Sequence, residues 1–152
     1  MSNLALQDRS IAPLELANSL RPIILRISRE LRRELHSIGV TPGQVSLLVA
    51  IRSRPGIGVG ELAELERMSA PGMSGHVERL VKAGLVERTR DERGDRRRVG
   101  LTVTREGHNV LRSVRSRRTA WLAARLGALE PDERERIADA IEPLSKLLDG
   151  DE

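Results

Sequence analysis

Apolar residues recur at steps of three and four between Leu14 and Ile38, with Leu20, Ile24, Ile27, Leu31 and Leu35 on one stripe and Arg26, Arg29, Glu30, Arg32 and Arg33 on other faces. That spacing predicts an amphipathic helix. Pro22 removes a helical hydrogen bond, so it either bends the helix or marks a first turn capped near Ser19; one long bent helix ended by Gly39 is expected. Thr41-Pro42-Gly43-Gln44 reads as the start of a second helix, with Thr41 as N-cap, Pro42 in the first turn and Gln44 closing a capping box. It should run to Ser53, where Arg54-Pro55-Gly56 breaks the chain, leaving room at Ile57-Gly58-Val59 for a short strand only. Leu62, Leu65 and Met68 then give one apolar face to a short third helix. Ser69 can cap a fourth, on which Met73, Val77, Leu80 and Val81 face one way until Gly84 stops it.

After Gly84 the period changes from 3.6 to 2. Val99, Leu101 and Val103 alternate with Arg98, Gly100 and Thr102, so Leu85–Arg90 and Arg98–Val103 are expected to pair as strands around a polar, glycine-containing hairpin tip. Thr104 caps a long helix carrying Leu111, Val114, Trp121, Leu122 and Leu126. Glu130-Pro131 opens a last one with Ile137, Ile141, Leu144 and Leu148. The expected fold is mainly α with a small β wing: a winged helix-turn-helix lobe over 41–104, flanked by dimerisation helices at 1–38 and 105–152, in a single domain of 152 residues. The flanking helices are too many for so small a central core. They must bury their stripes against each other or against a second chain, and a homodimer also spaces two recognition helices one DNA turn apart. Leu20, Ile24, Ile27, Leu126, Ile137, Ile141, Leu144 and Leu148 are the expected dimerisation positions.

The formal net charge of +4 conceals an asymmetry. Residues 67–118 hold 14 Lys and Arg against 6 Asp and Glu, whereas residues 130–152 hold 3 against 9. Cations concentrated on one region point to an interface with phosphates. Trp121 is the only aromatic residue, so the stacking platform that single-stranded nucleic acid uses is missing, and double-stranded DNA is the better partner. No cysteine is present, which excludes disulfides, thiolate zinc and thiol sensing, and suits a reducing cytoplasmic setting. Nothing near the N-terminus reads as a signal peptide and no segment approaches membrane-spanning length, so no membrane partner is expected.

On a helical wheel the fourth helix turns Pro71, Gly72, Gly75, Glu78, Arg79 and Lys82 away from its apolar side, with Ser74 and His76 on the flanks. Small residues near its start let the backbone approach DNA, where the positive end of the helix dipole and free N–H groups favour phosphate. Ser74, His76 and Arg79 are the side chains that can reach base edges or phosphates; on spacing alone His76 could equally be a solvated imidazole. In the hairpin, Arg90, Arg93, Arg96, Arg97 and Arg98 crowd within nine positions, as a wing needs if one arginine enters a minor groove while others meet phosphates. Asp95 would brace Arg97 or Arg93 through a charge-assisted bond.

These residues carry a specific resemblance. The run GVGELAELERMSAPGMSGHVERLVKAGLVERTRDERGDRRRVGLTVTREG, with DERGDRR and LTVTREG as its most diagnostic words, resembles the MarR family of winged-helix transcription regulators, and the flanking helices are similar to that family's dimerisation elements. The resemblance implies a homodimeric repressor or activator, a repressor being expected, on a palindromic operator. It also implies release by a small phenolic or aromatic ligand bound between the dimerisation helices and the DNA-binding lobe. Family DNA contacts carry over to Ser69, Gly72, Ser74, Gly75 and His76, and to Arg93, Arg96 and Arg97; Gly75 departs from the longer polar residue common there.

Zinc sensing, used by one branch of that family, needs clustered ligands, yet His36, His76 and His108 are scattered, so neither a metal nor another cofactor is expected. Trp121 belongs either to the core or to a ligand wall. No phosphate loop, nucleophile elbow or Cys–His pair marks an enzyme. The alternative function is a winged-helix protein-interaction module without sequence-specific DNA binding, against which the cationic wing argues.

Overall fold

The first apolar stripe folds as helix α1, Pro13–Arg33, in the computed structural model, which describes residues 11–90 and 99–150. Pro22 lies inside this one helix rather than at the start of a new one, and the Ser19 hydroxyl donates back to the Glu15 carbonyl at 3.3 Å. No residue of α1 is buried. The helix stops at Arg33, not Ile38 as the spacing predicts. Leu35 drops fully into the core, the Gly39 N–H donates back to its carbonyl at 3.2 Å, and Gly39 adopts φ 82, a left-handed turn that suits glycine. Residues 1–33 form one unit of the chain and residues 34–152 another.

Within the second unit, α2 spans Pro42–Ser53 behind the expected capping box: the Gln44 N–H donates to Thr41 Oγ1 at 3.1 Å and the Thr41 N–H to Gln44 Oε1 at 3.0 Å. It buries Val45, Leu47, Leu48 and Ile51. The short strand expected at Ile57-Gly58-Val59 is reduced to one antiparallel bridge, Ile57 to Leu101, because Val59 already begins helix α3, Val59–Leu65. The bridge is close because of Gly100, where a Cβ would stand 2.7 Å from the Gly56 carbonyl oxygen. Leu62 and Ala63 are the buried residues of α3. Leu65 and Met68, expected on its apolar face, are exposed, and Met68 lies past the helix end with its N–H on the Ala63 carbonyl at 2.9 Å.

Helix α4, Ala70–Lys82, buries Met73, Val77 and Leu80, with Val81 half-buried. Strands β1, Val86–Arg90, and β2, Val99–Val103, pair antiparallel with Val86 opposite Val103 and Arg90 opposite Val99. Helix α5, Arg105–Gly127, follows its Thr104 cap, and α6, Pro131–Ser145, follows Glu130. Leu148, expected on that last helix, falls instead in a 3-10 turn over Lys146–Leu148. The fold is therefore mainly α with a two-stranded wing. Its core gathers Leu35, Leu48, Ile51, Leu62, Met73, Val77, Leu80 and Leu101, and reaches α5 through Leu111 and Val114, with half-buried Val110 packed against it. A buried leucine of this kind contributes about 1.5–3 kcal/mol, so α2, α3, α4 and the start of α5 are held as one body.

Candidate nucleic-acid interface

Helix α4 starts where Ser69, in extended backbone, accepts the Gly72 N–H on its Oγ at 3.2 Å. A Cβ on Gly72 would crowd that hydroxyl at 2.9 Å, so glycine keeps the cap tight. With Met73, Val77 and Leu80 locked into the core, the helix has one rotation only. It leaves Pro71, Gly72, Ser74, Glu78, Arg79 and Lys82 exposed, with Gly75 and His76 half-buried. Arg79 leans back along this face: a Cβ on Gly75 would lie 3.8 Å from its Nη2. Ser69, Gly72, Ser74, Gly75, His76 and Arg79 are thus brought together on one element, Gly72, Gly75 and Arg79 on its outer side, Ser74 and His76 on its two flanks and Ser69 at its start. Pro71 has no N–H, and Ser69 takes that of Gly72 on its Oγ and that of Met73 on its carbonyl, so the Ala70 N–H and the helix dipole make the positive end beside this small-residue surface.

Arg90 is exposed at the end of β1. Arg93, Asp95, Arg96, Arg97 and Arg98 lie outside the described residues. Arg88, which the sequence reading passed over, has its Nη2 3.0 Å from Glu78 Oε2, tying β1 to the outer face of α4. Both partners are well exposed, so the pair is worth little as stability. Its effect is geometric, setting a guanidinium beside the recognition surface. The period-two placement of Arg88 with Arg90 was the only signal in the sequence.

A second feature lies between α2 and α5, a cleft of about 430 Å³. Val45, Val49, Leu111 and Val114 form its apolar part, and Arg52, Arg112, Arg115 and Arg118 its cationic part. The Nε of Arg118 is buried without a hydrogen-bond partner. Trp121 is not among the lining residues; it is half-buried, with the Arg125 guanidinium 4.8 Å from its ring centre, a cation–π contact. Among the described residues no three His, Asp or Glu side chains gather as metal ligands, and no helix is long and apolar enough to cross a membrane. The eight expected dimerisation residues are all outside the core. Leu20 and Leu126 are half-buried, whereas Ile24, Ile27, Ile137, Ile141, Leu144 and Leu148 are exposed.

Comparison with known proteins agrees with this arrangement. A model described as MarR family matches residues 38–98, the stretch from the end of the first turn to the hairpin. An HTH-type transcriptional regulator from Mycobacterium bovis is 31% identical over 134 residues, covering 88% of this chain and 93% of the relative. The HTH-type transcriptional repressor MdtR of Bacillus subtilis is 27% identical over 145 residues, covering 95% and 92%. Among solved structures, a transcriptional regulator protein from Pseudomonas aeruginosa superposes with a TM-score of 0.76 at 30% identity, covering 91% of this chain and 96% of that one. A Staphylococcus aureus MepR variant bound to an oligodeoxyribonucleotide shares the fold, with a TM-score of 0.70 at 20% identity, covering 87% and 97%.

Proposed function

The chain belongs to the MarR family of winged helix-turn-helix transcriptional regulators, not to a family of enzymes, and from that premise we propose that it is a cytoplasmic homodimeric repressor of a palindromic operator. The observation that carries the reading is the outer face of α4, where small residues and Arg79 stand opposite the buried Met73, Val77 and Leu80, with Ser74 and His76 on the flanks. In this reading α4 enters the major groove, Ser69 and the Ala70 N–H meet phosphate, and Ser74, His76 and Arg79 approach base edges. Arg90, Arg93, Arg96, Arg97 and Arg98 grip the flanking backbone and minor groove, with Asp95 bracing one of them. Exposed Ile24 and Ile27 of α1 and Ile137, Ile141 and Leu144 of α6 are covered by the second copy. The cleft between α2 and α5 has the chemistry for an aromatic acid, apolar walls for a ring and guanidiniums for a carboxylate. It joins the lobe that would bind DNA to a helix that would bind the partner.

The test is a titration of the purified protein against the DNA fragments it selects from a random duplex pool. Affinity should fall linearly on a log–log scale with salt, by roughly 10³-fold or more between 50 and 200 mM for a dimer touching at least six phosphates. Benzoate added to the same titration should release the DNA. Selection of no consensus, with no salt dependence, would instead favour a protein-interaction module, and DNA binding indifferent to benzoate would remove the aromatic-acid assignment alone.

A further inference from the structure

The junction of β2 with α5 is bonded more heavily than a helix start requires. Thr104 stands before α5 in extended backbone, and its Oγ1 accepts the Gly107 N–H at 3.0 Å, an ordinary N-cap bond. The same hydroxyl donates to the Gly84 carbonyl at 2.6 Å, and the Thr104 N–H donates to the Leu85 carbonyl at 3.0 Å. Gly84 and Leu85 are where α4 finishes. Gly84, at φ 75, donates to the Val81 carbonyl and Leu85 to the Leu80 carbonyl, both at 3.0 Å, a left-handed helix stop. One hydroxyl therefore caps the positive end of α5 and ties it to the chain just past α4. Gly107 permits the approach: it is buried, and a Cβ there would overlap the Leu85 carbonyl oxygen and come within 2.6 Å of Val103 Cγ1.

We infer that Thr104 and Gly107 form a joint that fixes the angle between α4 and α5, and with it the half-site spacing that the regulator accepts in DNA. The inference rests on the reading of a dimer on a palindrome. Geometry gives the joint its leverage. Helix α5 has 23 residues, and its buried residues, Gly107, Leu111 and Val114, all lie in its first half. At 1.5 Å per residue it is about 34 Å long, so a tilt of about 10° at Thr104 moves its far end by about 6 Å, nearly two base-pair steps. Base contacts within one half-site do not feel that tilt; the separation of two half-sites does.

Three variants of the full chain separate these roles. Thr104→Ser keeps both bonds of the hydroxyl. Thr104→Asp keeps an acceptor for the Gly107 N–H, and so the α5 cap, but presents no donor to the Gly84 carbonyl. Thr104→Val loses both bonds at nearly constant shape. Each is titrated against the selected operator, against operators with one base pair added or removed between half-sites, and against a single half-site. Wild type and Thr104→Ser should prefer the native spacing by about tenfold or more, whereas Thr104→Asp and Thr104→Val should keep less than about threefold preference, with single half-site affinity changed less than about twofold. A wild-type spacing preference in Thr104→Asp overturns the joint, as does a uniform loss on every DNA, which is what mere destabilisation produces. A wild type that selects no paired half-sites takes down the dimeric reading itself and the joint with it. Should the variants not fold, amide exchange in the wild type decides: the Thr104 and Gly107 N–H groups should exchange as slowly as those of buried Val77 and Leu80, and exchange as fast as the first turn of α6 overturns the proposal.

Discussion

Arg67 sits at φ 54, the left-handed region, the one non-glycine residue there among those described. It ends α3 as Gly84 ends α4: the Arg67 N–H donates to the Glu64 carbonyl at 3.2 Å and the Met68 N–H to the Ala63 carbonyl at 2.9 Å. A side chain in that conformation costs about 1–2 kcal/mol, whereas glycine adopts it freely but loses roughly 0.5–1 kcal/mol more in chain entropy on folding. Arg67→Gly should therefore stabilise the fold by on the order of 0.5–1 kcal/mol, read as a higher urea midpoint at unchanged slope. A lower midpoint would show that the arginine side chain makes a contact worth more than the strain. The same comparison shows which single residues a sequence discloses. Thr41 with Gln44, Ser69 and Thr104 are legible as caps because the N–H each accepts lies three residues away. Arg67 is not legible, since arginine has no preference for left-handed backbone. Nor is the second bond of Thr104, whose partner lies twenty residues back along the chain.

At the scale of elements, helices α2 and α4 fall where apolar spacing and caps put them, because in each the stripe that sets the period also faces the core; α5 does so over its first half, where Leu111 and Val114 are buried. Departures occur where tertiary packing outweighs local pattern. The spacing of α1 continues past Arg33, but Leu35 is pulled into the core and Gly39 turns the chain. Ile57 reads as a strand residue, but only one bridge forms before Val59 starts α3. On α4 the double duty of Ser69, as cap and as expected DNA contact, can be separated. Glycine at an N-cap costs only a few tenths of a kcal/mol relative to serine, whereas alanine costs about 1 kcal/mol. Ser69→Gly should thus leave the urea midpoint nearly unchanged while weakening operator binding severalfold, by about 0.5–1.5 kcal/mol for one lost hydrogen bond. Operator affinity equal to wild type would confine Ser69 to a structural role and shift the phosphate contact to the Ala70 N–H.

For the whole molecule, the charge asymmetry of the sequence maps onto the fold: the cationic stretch 67–118 covers α4, the wing and the first half of α5, and the acidic stretch 130–152 covers α6. What the sequence could not apportion was its apolar stripes, since the spacing that buries Leu48 in the core equally exposes Leu144 at 41%. Only packing distinguishes a core stripe from one reserved for a partner. Ile137, Ile141 and Leu144 have no place in the core, and at about 25 cal/mol per Å² their burial in the proposed second copy would be the largest favourable contribution α6 can make. Association costs on the order of 4–15 kcal/mol in lost rigid-body freedom, so the margin is narrow, and one ionised carboxylate placed in the apolar contact costs several kcal/mol. Leu144→Asp should give monomers by light scattering. Its core is untouched, so the helix content and cooperative unfolding of residues 34–127 should persist while operator affinity falls towards that of a single half-site. Dimers that survive Leu144→Asp would move the contact off α6 and leave the exposed residues of α1 to hold the copies together; a chain that unfolds altogether would mean that α6 supports the core, which the exposure of every apolar residue on its stripe argues against.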